Sequence, residues 1–180
     1  LTNPKKTEIK SYNLNEEQSE ALDFLERVND KFDVSVLQGT TGSGKTLVYF
    51  ERIKKIIQNG NQALVLLPEI FLTNEFKSRF EEFFGFEPAI WHSKITPKHK
   101  RIIWKGVVNN KVKVLIGARS ALLLPFKKLG IIIVDEEHDT SYKQDEGVIY
   151  NARDMAISRA NFEKIPINLI TSVPSIETYN

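Results

Sequence analysis

The chain has 180 residues, 41% hydrophobic and 27% charged, with a net charge of +2, which suits one globular domain with a core and would be a squeeze for two full domains. Its longest apolar runs, residues 63–67 and 131–134, fall far below the roughly 20 residues that cross a bilayer, and residues 1–10 lack a signal-peptide core. With no cysteine, both a disulfide framework and a thiolate metal site are excluded, and a cytoplasmic protein with no membrane partner is expected.

Residues 1–12 are polar and unpatterned and read as a lead-in to a domain over 13–180. Asn15 opens the first helix, with Glu16, Glu17 and Gln18 in the first turn, where the helix dipole favours acids. Leu22, Leu25 and Val28 supply the apolar stripe, and the helix is predicted to reach about residue 29. Residues 34–38 are short, apolar and β-branched, and glycines follow them at once. A helical stretch over 45–59 comes next, closed by Gly60.

Further along, 62–67 reads as a buried strand, 71–84 as a helix and 88–92 as a short strand. Thr96 and Pro97 cap and begin a helix running to about residue 109, and 112–117 is a strand again. The near-continuous apolar run 131–135 ends in acids, 152–161 is predicted helical, and 167–171 supplies another strand. Short strands alternating with helices of ten to sixteen residues imply an α/β domain whose mostly parallel sheet is covered by helices on both faces. Ligands of such a sheet gather at the carboxyl ends of its strands.

Charge is segregated along this chain. Residues 88–134 hold ten lysines and arginines (Lys94, Lys98, Lys100, Arg101, Lys105, Lys111, Lys113, Arg119, Lys127 and Lys128) and no acid. Gathered on one face, they would make a field suited to a phosphate backbone. A solvated basic surface is the plainer reading of the same charges.

Gly39-Thr40-Thr41-Gly42-Ser43-Gly44-Lys45-Thr46 matches G-x-x-x-x-G-K-[ST] in full and sits between a predicted strand and a predicted helix. The glycines let successive amides wrap a triphosphate, the helix adds its positive end, and Lys45 reaches the β- and γ-phosphates. Thr46 is expected to ligate Mg2+. The loop alone does not separate a motor from a small kinase or a GTPase, which use the same cradle.

The run Ile131-Ile132-Ile133-Val134-Asp135-Glu136-Glu137-His138 narrows the choice, because an apolar strand delivers carboxylates to its tip beside that loop. Asp135 is expected to hold Mg2+ and Glu136 to orient or deprotonate the attacking water. A kinase needs no water-activating neighbour, so the Asp-Glu pair favours ATP hydrolysis. Glu137 and His138 have an ordinary structural reading, as groups that hydrogen-bond nearby backbone.

The tetrad Asp135-Glu136-Glu137-His138, followed by Asp139-Thr140-Ser141-Tyr142-Lys143-Gln144 and later Tyr150-Asn151-Ala152-Arg153-Asp154, closely resembles the PriA family of bacterial replication-restart helicases, in superfamily 2. The resemblance extends from about residue 14 to the end. Residues 14–18 look like its adenine-recognising glutamine motif and 39–46 its motif I. Pro68-Glu69-Ile70 with Leu72-Thr73 looks like motif Ia, and Gly117-Ala118-Arg119-Ser120-Ala121 like motif Ib. It implies a RecA-like P-loop domain, the first ATP-binding lobe of a DNA helicase acting in DNA replication with the primosome. By the same resemblance Gln18 contacts adenine. Pro68, Thr73, Arg119, Ser120, Tyr142 and Lys143 contact single-stranded or forked DNA, and His138 and Ser172 couple the nucleotide to it. Aromatics offer bases a stacking surface and basic groups hold phosphates, although Tyr142 and Tyr150 would serve equally as packing residues.

Two departures accompany the resemblance. Where the family reads Ser-Ala-Thr-Pro-Ser for motif III, this chain has Thr171-Ser172-Val173-Pro174-Ser175, so valine replaces the usual threonine hydroxyl. The chain also stops at Asn180, where a helicase of this kind continues into a second lobe. That lobe brings an arginine finger worth roughly 10³ to 10⁵ in rate, so the 180-residue piece alone is expected to lack significant activity. The second lobe, other domains of the parent and single-strand-binding proteins are the expected partners. A different superfamily 2 translocase and a nucleotide-dependent binding module without turnover are the alternatives.

Overall fold

The computed structural model describes residues 13–39, 44–136 and 146–172. Six strands, β1 (Asp33–Gly39), β2 (Gln62–Leu66), β3 (Ala89–Trp91), β4 (Val114–Gly117), β5 (Leu129–Glu136) and β6 (Pro166–Ser172), form one sheet in the order β1-β6-β5-β2-β4-β3. Every neighbouring pair is parallel. The helices between them are α1 (Glu16–Glu26), α2 (Lys45–Gln58), α3 (Asn74–Phe84), α4 (Pro97–Val108) and α5 (Glu146–Glu163).

The unbroken apolar run of β5 follows from burial on both faces, since successive side chains point to opposite sides of a strand. Ile131 and Ile133 join the core with Tyr49, Phe50 and Phe80 under α2 and α3. Ile132 and Val134 join Leu115, Val107, Ala156 and Ala160 under α4 and α5. Helices therefore cover both faces, as the alternation of the sequence predicts. On the α2 side, Phe50 lies at the centre of an aromatic cluster, 5.4–5.8 Å from the rings of Phe76, Phe80, Phe83 and Phe84. None of the helices within the described residues is long and apolar enough to cross a membrane.

α1 packs on the outer side of α2 and β1 through Leu22, Leu25 and Val48. The buried Arg52 guanidinium fastens the two helices, donating to Val28 O at 2.6 Å and to the Asn29 side chain. Burial lowers the Arg52 pKa, and the negative charge of Glu26 partly opposes that. Gln62 is fully buried and satisfied: its amide donates to the carbonyls of Val107 and Val112 while its oxygen accepts from Lys128 N.

Asn168 differs from Gln62 in being left wholly unsatisfied. It lies in β6 beside Ser35 and Ile133, is fully buried, and neither of its amide atoms meets a hydrogen-bond partner. An orphaned buried amide costs about 1–3 kcal/mol, whereas an apolar group of the same shape carries no such penalty. Asn168→Leu is therefore expected to stabilise the domain by about 1–3 kcal/mol, read as a rise in the urea midpoint at unchanged slope. A lower midpoint would show that the amide contributes something the fold needs.

Several boundaries differ from the sequence expectation, each for a local reason. α1 ends at Glu26, three residues short of 29, with Arg27 as its cap. The helix expected from residue 71 starts at Asn74, because Thr73 caps it by accepting from Phe76 N at 3.1 Å. Residues Glu69–Phe71 form a separate single turn. α5 begins at Glu146, six residues before the expected start, and β4 at Val114 instead of 112. The basic stretch is not gathered on one face. Lys111, Lys113, Lys127 and Lys128 precede β4 and β5, at the amino ends of the strands, whereas Arg119 follows the carboxyl end of β4. Lys113 has its pKa lowered by burial first and then by Lys128 and Lys111.

Candidate functional site

Gly39 ends β1 and Gly44 begins the turn into α2 with φ of 77°, a left-handed conformation that favours glycine. A Cβ there would also lie 2.2 Å from Gln18 Nε2. Among the described residues no side chain caps α2, and its first turn carries no acid. α1 and α3 do carry acids there, Glu16 and Glu17 in one and Glu75 in the other. The positive end of α2 thus favours an external anion. Lys45 and Thr46 are both buried in this turn, at 4% and 8% exposure. Thr40, Thr41, Gly42 and Ser43 lie outside the described residues.

Gln18 reaches this turn from α1. Its oxygen accepts from Asn15 N in a capping box, and its nitrogen donates to Gly44 O at 3.2 Å. The residue expected to read adenine is therefore in direct contact with the end of the phosphate loop.

The acids at the tip of β5 are separated by the alternation of the strand. Asp135 faces α2 and is 3% exposed, and the Tyr49 hydroxyl donates to its Oδ2 at 2.7 Å. Tyr49 stands four residues beyond Lys45, on the same helical face, so Lys45 and Asp135 lie on one side of the sheet. Glu136 faces α5, where Arg153 makes two contacts, Nε to Oε1 at 3.0 Å and Nη2 to Oε2. The registers Gly39↔Ser172 and Glu136↔Thr171 set Ser172 between the phosphate loop and the acidic tip.

Beside these acids a cavity of about 700 Å³ opens at the carboxyl ends of the strands, lined by Pro68, Gly117, Arg119, Ser120, Asp135 and Glu136 among others. Leu67 N donates to Gly117 O at 3.1 Å, which joins the segments after β2 and β4. Gly117 is closely surrounded, since a Cβ would come within 2.9 Å of Trp91 O. Arg119 and Ser120 are exposed on the turn Arg119–Leu123, anchored by buried Ala121 and Leu122. Thr73 is not on this wall: it caps α3, which uses an acceptor lone pair and leaves its hydroxyl proton to donate. His138, Tyr142 and Lys143 lie outside the described residues.

Among the described residues there is no cluster of three or more His, Cys, Asp or Glu that could hold a metal by themselves. The Thr46 hydroxyl and the Asp135 carboxylate are hard-oxygen donors, of the kind that suits Mg2+ held jointly by protein and phosphates. Sequence reasoning missed Tyr49 and the Glu136–Arg153 pair. The spacing of Tyr49 four places after Lys45 was the available signal for the first. Nothing local pointed to the second, which joins residues 17 apart.

A family model described as DEAD/DEAH box helicase matches residues 15–174. The chain is 53% identical over 165 residues to a protein of Rickettsia conorii named "Replication restart protein PriA", covering 92% of this chain and 25% of that protein. The protein of the same name from Bacillus subtilis is 40% identical over 168 residues, covering 92% and 21%. The chain thus spans about a quarter of the length of the curated relatives it matches. Among solved structures, RecG bound to a three-way DNA junction aligns with a TM-score of 0.66 at 24% identity, over 91% of this chain and 21% of that one. The DUF1998 helicase MrfA aligns at 0.65 and 22%, over 89% and 27%. These likenesses share the six-stranded RecA-like fold, and with a family match running from the capping box of α1 to just past β6, the chain belongs to the DEAD/DEAH box helicase family.

Proposed function

We propose that this chain is the first motor lobe of a PriA-like ATP-dependent DNA helicase, cytoplasmic and acting in replication restart. The observation that supports the reading best is the Tyr49–Asp135 hydrogen bond, which seats the acidic tip of β5 against the turn of α2 that carries Lys45. Residues 39–46 cradle the triphosphate of ATP, and Lys45 binds its β- and γ-phosphates. Thr46 and Asp135 would hold Mg2+, which would supply charge neutralisation for the phosphates. Glu136 accepts the proton of a water whose oxygen bonds to the γ-phosphorus. The bond to the bridging oxygen breaks, and ADP and phosphate leave. Gln18 reads adenine and reports on the loop through Gly44 O.

Single-stranded or forked DNA passes the cavity wall at Pro68, Arg119 and Ser120, with Thr73, Tyr142 and Lys143 extending the track. His138 and Ser172 couple the two sites. A second lobe of the parent chain completes the ATP site, so this lobe alone turns over negligibly. The primosome and single-strand-binding proteins are the parent's partners in restart.

The test is ATP turnover and strand separation by the full-length parent, with and without forked DNA. Turnover stimulated by DNA and accompanied by unwinding is expected. Tight nucleotide binding without turnover would replace the motor with a nucleotide-dependent binding module.

A further inference from the structure

Both oxygens of Glu136 are engaged by Arg153, and this pair holds the carboxylate toward α5, on the opposite face of β5 from Asp135 and Tyr49. Phosphates bound at the first turn of α2 lie on the Asp135 side. A Glu136 turned fully to Arg153 is therefore directed away from a water lined up with the γ-phosphorus. To accept that water's proton it must give up at least one contact with the guanidinium.

The pair is also placed where an anion can reach it. Glu136 lines the cavity together with Arg119, Ser120 and Pro68, and Ala152 and Met155, on either side of Arg153 in α5, line it too. The Arg153 side chain keeps 30% of its exposure while that of Glu136 keeps 10%. A guanidinium binds phosphate oxygens with the same two-pronged geometry that it uses for a carboxylate. A phosphate entering between the Arg119 turn and α5 offers Arg153 a second partner of the same shape.

We propose that the Arg153–Glu136 pair is a latch which a nucleic-acid backbone phosphate opens by exchange. In the absence of nucleic acid Arg153 retains Glu136. A backbone phosphate in the cavity takes the guanidinium and frees Glu136 to turn toward the nucleotide. Arg153 is a positioning residue in this scheme, touching neither ATP nor the attacked phosphorus. The latch rests on the reading of Glu136 as the base, and it adds a physical route by which DNA stimulates turnover.

The experiment measures ATP turnover of the full-length helicase with and without single-stranded DNA. Arg153→Gln is expected to raise DNA-independent turnover about tenfold, inside the roughly 5–150-fold range of coupled sites, and to bring the stimulation ratio down toward one. Arg153→Lys keeps the charge but not the two parallel contacts, and a several-fold rise is expected. It also serves if the glutamine variant does not fold. Equal losses with and without DNA at an unchanged melting temperature would overturn the latch, since Arg153 would then hold Glu136 for the reaction. An unchanged stimulation ratio in either variant would overturn it as well. In a Glu136→Gln background, Arg153→Gln is expected to add nothing, and a rise there would show that the effect does not pass through Glu136. Wild-type turnover by Glu136→Gln alone would remove the base reading itself, a result separable from every outcome of the Arg153 variants.

Discussion

Glu136→Gln is expected to lower DNA-stimulated ATP turnover of the full-length helicase by about 10²–10⁴-fold, the range that a positioned general base contributes. Nucleotide affinity is expected to stay close to wild type. The substitution keeps the shape of the side chain at the tip of β5, and its carbonyl oxygen can still accept one contact from Arg153. It removes the capacity to take a proton from water. Because Asp135 faces α2 and Glu136 faces α5, the change leaves the Tyr49–Asp135 contact and the phosphate turn in place. The fold is expected to tolerate it, because the Arg153 side chain keeps 30% of its exposure and can retain one contact with the glutamine carbonyl. Steady-state turnover beside a fluorescent-nucleotide titration checks both halves. Retention of turnover within tenfold would move the base elsewhere.

The parts of this site that were legible in the sequence are those fixed by local rules. The phosphate loop announces itself because the turn needs glycines, and at Gly44 the structure shows the left-handed φ that explains one of them. β5 announces itself because a strand buried on both faces must be apolar throughout, and its acids then fall at the ligand end of a parallel sheet. Thr96 and Pro97 start α4 as expected. By contrast, no local rule gives the strand order that sets β6 between β1 and β5, bringing Ser172 beside Gly39. Residues 71–73 belong to an apolar pattern that continues into α3, yet the Thr73 cap decides where the helix begins. The split of Asp135 and Glu136 between two faces could have been deduced from strand periodicity alone. Their partners, Tyr49 and Arg153, follow only from how α2 and α5 pack.

Lys45→Ala is expected to weaken nucleotide binding and turnover together, in contrast to Glu136→Gln. Lys45 is 4% exposed in the first turn of α2, a helix start with neither a side-chain cap nor an acid among the described residues. The amides, the helix dipole and the ammonium all favour one anionic ligand there. Deleting the ammonium leaves the amides but takes away a charged hydrogen bond worth about 1.5–3 kcal/mol, a roughly 10–150-fold loss in affinity. Thermal or chemical unfolding with and without nucleotide reads this directly, because a ligand stabilises only what it binds. At a concentration about 100 times the wild-type dissociation constant, wild type gains about 2.7 kcal/mol. A variant binding about 100-fold more weakly gains only about 0.4 kcal/mol at the same concentration. A nucleotide-induced gain in the Lys45→Ala variant equal to that of wild type would place the triphosphate away from the turn between β1 and α2, and with it the chemistry assigned to Asp135 and Glu136.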